Sequence, residues 1–155
     1  MSDQTPSLSA PAQVDGRNLI KLPPPSIITA QALAPPITID FCAVGPPIPM
    51  LTFPAGIFAA FVTSLYFYDF NVIGAPNGDG FAQAGHLADT TSFSDNLKFP
   101  TSLTANNQWY SRGPKTSVTQ TILYLGGDVF AFEVTVPDSG ATSITCKVLA
   151  FGFYL

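Results

Sequence analysis

Few residues in this chain can do chemistry, and their spacing narrows the choice further. His86 is the only histidine, set in Gln83-Ala84-Gly85-His86-Leu87-Ala88-Asp89. General-base work would need it beside a serine or cysteine nucleophile and an orienting carboxylate. No glycine-flanked nucleophile elbow occurs in the sequence. Of the ten acidic residues only Glu133 is a Glu. A catalytic carboxylate pair would therefore come mainly from scattered Asp residues, and no spacing selects one pair. These counts point away from an enzyme and imply no cofactor.

Asn77-Gly78-Asp79-Gly80 has the look of a small calcium loop. A full site needs several oxygen ligands with carboxylates at set spacing, whereas this segment has one Asp and no closing Glu. It reads as a turn, and no metal site is expected. The most binding-like patch is Asn106-Asn107-Gln108-Trp109-Tyr110, followed by Arg112. Asn107, Trp109, Tyr110 and Arg112 form a candidate site for a glycan or a receptor. Exposed aromatic rings there would stack on a sugar or anchor a protein, with amides alongside to hydrogen-bond. The competing reading is that Trp109 opens a strand and fills the edge of the core.

Composition sets the frame for these residues. The 155-residue chain is 46% hydrophobic but only 10% charged, with six Lys plus Arg and a net charge of −4. Phosphate neutralisation needs more basic residues than that, so no nucleic-acid partner is expected. The first sixteen residues have neither a basic nor an apolar signal-peptide region, so cytoplasmic synthesis without a secretory signal is expected. The most apolar window, residues 55–68, is too short to cross a bilayer as a helix, so no membrane partner is expected. Cys42 and Cys146 both lie in apolar, strand-like runs and read as buried free thiols rather than a disulfide.

The elements that must position these residues are strands. Thr, Val, Ile and aromatics are plentiful and good helix formers scarce. Eleven of the fifteen prolines fall in the first 54 residues, which excludes a helix or central strand through the proline clusters. Residues 1–36 read as an extended N-terminal arm and 37–155 as a single β domain. Fully extended, residues 1–26 would reach about 85 Å. Short strands are expected at Ser26–Ala30 and Ile37–Val44. Ile57–Ile73 reads as two strands or one strongly bent strand, Gly74–Gly80 as a loop, and Ala82–Leu87 as a short helical turn. Leu97–Leu103 reads as a short strand broken at Pro100, and Asn106–Lys115 as a loop. Val118–Leu125, Asp128–Val136 and Ala141–Leu155 are three strand patterns. Gly126-Gly127 reads as a two-residue hairpin loop and Pro137–Gly140 as a four-residue turn. The last strand is apolar on both faces, which predicts an interior strand or one covered by another subunit.

Seven or eight such strands predict an all-β fold: an antiparallel β-sandwich, jelly-roll-like, with an extended Pro-rich arm. The arm's charges, Arg17 and Lys21 against Asp3 and Asp15, cancel. A neutral arm on a sandwich whose surface is poor in charge implies a non-enzymatic structural protein of a virus or phage particle. Decoration, minor capsid or outer-layer roles fit, with localisation in the virion. The expected partners are further copies of the chain and other particle subunits. The alternative is a carbohydrate- or receptor-binding module built on the Trp109–Tyr110 loop.

Overall fold

The computed structural model describes residues 30–99, 101, 108–115 and 123–155. Ten strands and no helix lie among them. They are β1 (Gln31–Ala32), β2 (Ile37–Asp40), β3 (Ile48–Thr52), β4 (Ala60–Gly74) and β5 (Phe81–His86), followed by β6 (Asp89–Lys98), β7 (Trp109–Arg112), β8 (Leu123–Tyr124), β9 (Val129–Val136) and β10 (Ala141–Tyr154). All pairings are antiparallel. One sheet runs β1-β10-β4-β7, with β2 also on β10 and β8 also on β4; the other runs β3-β9-β5-β6. The fold is an all-β antiparallel sandwich. Counting β1 with β2, and β7 with β8, as interrupted strands leaves eight in chain order. The sheet orders are then 1-8-3-6 and 2-7-4-5.

Aromatic residues from both sheets meet in the core. Phe67 of β4 and Phe132 of β9 are fully buried with ring centroids 6.1 Å apart. Phe41 lies 6.0 Å from each. Burying each such side chain contributes about 1.5–3 kcal/mol. Around them Leu65, Phe93, Phe130, Ile144 and Val148 are also fully buried.

The long aromatic run is one bent strand. β4 pairs with β10 along nearly its whole length, and register shifts leave Thr63 and the Asp69–Phe70 step without a one-to-one partner. Asp69 has φ +60°, a conformation Asp tolerates better than most residues. Its carboxylate meets Lys147 Nζ on β10 at 3.0 Å. Near the other shift Gly152 faces β4, where a Cβ would run into the carbonyl oxygen of Phe61. β10 is an interior strand, flanked by β4 on one side and by β1 and β2 on the other.

Four local expectations are corrected. Ala82–Leu87 is no helical turn: β5 and β6 form a hairpin, the one place among the described residues where strands adjacent in sequence pair. Ala82 and Ala84 are fully buried there, and a Cβ at Gly85 would meet Ser92 Oγ. Small residues in a tightly covered strand imitate a helical composition. Gly126-Gly127 does not join a hairpin either, because β8 pairs with β4 and β9 with β3 and β5. The turn instead carries the chain between sheets, with Gly127 at φ +95° donating its N–H to Phe53 O at 2.9 Å. The Asn106–Lys115 segment contains a strand, β7. Within Ile37–Val44 the strand ends at Asp40, with one further bond from Phe41 N to Ile144 O at 3.0 Å.

Residues 31–33, ahead of residue 37, already belong to the sheet. Gln31 and Ala32 pair with Gly152 and Phe151, and Leu33 N donates to Ala150 O at 2.9 Å. Ser26–Thr29, and with them most of the expected arm and its first strand, lie outside the described residues, as do residues 118–122 and part of 97–103. Cys42 and Cys146 are free thiols, half-buried and buried respectively.

Candidate functional site

Strand alternation decides what each residue of β7 does. Trp109 points outward and is 60% exposed, while Tyr110 points inward and is buried. The two rings that the sequence sets side by side therefore face opposite ways. Tyr110 stacks almost parallel on Phe67 and Phe70, at 4.6 and 5.8 Å. Its hydroxyl is buried without a hydrogen-bond partner among the described residues. Loss of solvent drives the phenol's pKa strongly upward, so it stays neutral. The Arg112 guanidinium lies over the Tyr110 ring at 4.7 Å and donates through Nη1 to Ser111 O at 2.9 Å. Tyr110 and Arg112 thus form a packed pair, and Trp109 alone of the four candidates shows a large exposed ring. Asn107 lies outside the described residues.

Trp109 is the end of a larger surface. It stacks on Tyr66 of β4 at 5.6 Å, and Tyr66 touches Phe151 of β10 at 4.7 Å. On the same face Phe61 and Phe153 lie 5.3 Å apart, and Leu123 sits opposite Phe61 in register. All four rings that accompany Trp109 are only half-buried. The Asp69–Lys147 ion pair flanks them. An aromatic centre with a polar rim is the usual anatomy of a protein interface. Tyr66, Phe61, Phe151 and Phe153 were not among the residues singled out from sequence. The signal that could have found them was the two-sided apolar pattern of the last strand.

The outer face of the other sheet is different. There the Thr90 hydroxyl sits between Gln83 Oε1 at 3.1 Å and Glu133 Oε1 at 2.8 Å. Lys98 covers the Phe81 ring at 5.5 Å. That face carries polar side chains bonded to one another.

The remaining chemical candidates are structural. Asp138, only 3% exposed, accepts the N–H groups of Asn77 (3.2 Å), Gly78 (2.7 Å), Gly140 (2.9 Å) and Ala141 (3.2 Å). Asp79 in turn accepts from Ser139 N at 2.9 Å and Ser139 Oγ at 2.6 Å, which holds its carboxyl below the usual range. The Asn77–Gly80 segment is a latch to the β9–β10 turn, its carboxylate spent on protein donors. Among the described residues no group of three or more His, Cys, Asp or Glu could hold a metal ion. His86 Nδ1 lies 3.9 Å from Asp128 Oδ2, and its ring packs 4.2 Å from Tyr124. Ser92 Oγ accepts from the backbone N of His86 at 2.9 Å. Asp128 Oδ2 is held by Leu125 N at 2.8 Å, so this carboxylate is committed to shaping a turn.

No family model matches the chain, and no curated protein sequence does. Among solved structures, a chain of the cyanophage Pam1 capsid asymmetric unit has a similar fold, with a TM-score of 0.51 and 12% sequence identity. The match covers 94% of this chain and 99% of that one.

Proposed function

We propose that this protein is a non-enzymatic structural component of a virus or phage particle, in a decoration, minor capsid or outer-layer role. It would assemble with copies of itself and other particle subunits through its N-terminal arm and sheet edges. The reading rests on one observation above the others: the fold likeness to a capsid chain spans almost the full length of both chains. The strand order supports it independently. Orders 1-8-3-6 and 2-7-4-5 follow a jelly-roll path, an architecture found in viral capsid domains. The decisive experiment is mass spectrometry of purified particles made by the genome that encodes the chain, together with native mass of the isolated protein. Stoichiometric presence in the particle is expected; absence from it overturns the reading.

Jelly rolls also serve lectins, and the exposed Trp109–Tyr66 stack is the kind of flat aromatic platform a sugar ring fits. Under that second reading, glycan-array binding would be abolished by Trp109→Ala. Absence of glycan binding by the native chain removes it.

A further inference from the structure

The outer face of the β1-β10-β4-β7 sheet is too aromatic for water, and the residues that would cover it can be named. We infer that it receives the Leu19–Ile28 segment of a neighbouring copy of this chain. The inference rests on the proposed particle role and specifies one contact within it.

Three observations carry it. The first is contrast: one outer sheet face is a polar network around Thr90, while the other carries Trp109, Tyr66, Phe151, Phe61 and Phe153. A run of half-exposed rings beside an exposed Trp is the kind of apolar surface that marks an interaction site. The second is the chemistry of the occupant. Leu19-Ile20-Lys21-Leu22-Pro23-Pro24-Pro25-Ser26-Ile27-Ile28 sets apolar pairs on both sides of a triple proline. Such segments favour polyproline II geometry and dock on aromatic-lined surfaces at low entropic cost.

The third is where the chain goes. It joins the structure at Ala30, on the edge of β10, with Gln31 opposite Gly152. Ala30 thus lies beside the C-terminal end of β10, which closes at Tyr154. Leu22, Pro23 and Pro24 each precede a proline, which favours extended geometry and disfavours a reversal there. The described chain thus begins at the rim of its own sheet, and under this inference the Leu19–Ile28 segment lies on a neighbour's face. From Ile28 back to Leu19 the segment spans about 30 Å when extended. Three strand spacings, the width from β1 to β7, come to only about 15 Å. A neighbour's segment is long enough to cross the whole face.

The test uses the full chain, with a photo-crosslinking phenylalanine analogue at Leu22 and equal parts of ¹⁵N-labelled and unlabelled protein. Heavy–light cross-links from residue 22 to peptides within 60–74, 109–112 or 141–155 are expected. Cross-links confined to one copy, links only to other peptides, and face-to-face pairing without the arm each overturn the inference. Trp109, the only Trp, gives a second readout, with emission moving to shorter wavelength on assembly. In the Ile20→Asp/Leu22→Asp variant, carboxylates would have to be desolvated against the rings. Self-association should weaken at least about tenfold, and the emission shift should vanish, with far-UV circular dichroism unchanged. If the native chain assembles while Trp109 stays solvated, this contact is wrong and the particle role stands. If it remains monomeric and is absent from particles, both fail.

Discussion

Replacing Tyr110 with Phe should make the protein more stable, and the structure shows why. The ring is held by stacking on Phe67 and Phe70 and is covered by Arg112, all of which phenylalanine retains. The hydroxyl contributes no hydrogen bond among the described residues, yet it has been taken out of water. An unsatisfied buried hydroxyl costs about 1–3 kcal/mol, and deleting it recovers that cost less a small loss of packing. A net gain of about 1 kcal/mol is expected. For a chain of this length that corresponds to roughly 2–4 °C in Tm. Urea unfolding followed by Trp109 fluorescence should show a higher midpoint at unchanged slope, since the same surface is exposed on unfolding. Tyr110→Ala serves as the contrast and should lose about 3–5 kcal/mol through the cavity it leaves. A Tyr110→Phe variant less stable than the parent by about 0.5 kcal/mol or more would mean that the hydroxyl has a partner. The inward placement of β7 would then be wrong in detail.

Gly152→Ala should cost about 1–3 kcal/mol in the same unfolding assay, because its Cβ meets backbone rather than a movable side chain; a neutral result would refute the close approach of β10 to β4. Asp79, held by Ser139, and Asp89, held chiefly by the Thr91 hydroxyl, have lowered pKa values. Their stabilisation is complete above the unfolded carboxylate pKa of about 4 and fades as pH falls through the lower folded values. A urea-midpoint series across acid pH should drop in that window, and less steeply for Asp79→Asn. Burial pushes the Cys146 thiol strongly upward and the Cys42 thiol upward to a lesser degree. At neutral pH iodoacetamide should modify neither quickly in the folded state, Cys146 more slowly than Cys42, and both on denaturation. Rapid alkylation of native Cys146 would contradict its place in the core.

The sandwich was legible wherever alternation ran unbroken. In β9 the alternate residues Phe130, Phe132 and Val134 are buried, and Val136 emerges only at the strand end. β4 was harder for a definite reason. Its buried residues fall at 60, 62, 65, 67 and 70, a 2-3-2-3 spacing produced by the register shifts at Thr63 and Asp69. That spacing averages between strand and helix periods, so neither pattern stands out. The β5–β6 hairpin was hidden by small side chains, because Ala82 and Ala84 pair with β9 through residues whose bulk lies on the neighbour. Strand pairing was illegible throughout, since almost every strand bonds to one distant in sequence. Of the four candidate residues, Trp109 lies on the exposed face, alternation turns Tyr110 inward, and Asn107 lies outside the described residues.

Scarcity of charge acquires a location once the two sheets are compared. A chain with 10% charged residues must leave some surface underdressed for water, and an even deficit would be consistent with any compact β domain. Here the deficit is lopsided. Gln83, Thr90, Glu133 and Lys98 clothe one sheet, while the other carries an aromatic run across β7, β4 and β10 with Lys147 and Asp69 bonded to each other at its margin. Their ion pair contributes little to stability at such exposure, but it keeps two charges at the edge of the rings. Polar substitution across Phe61, Tyr66 and Phe151 would cost the fold little, because these rings are half-buried and lie outside the sandwich core. Their presence is therefore not required by the core, and the covering partner proposed above would account for the lopsidedness.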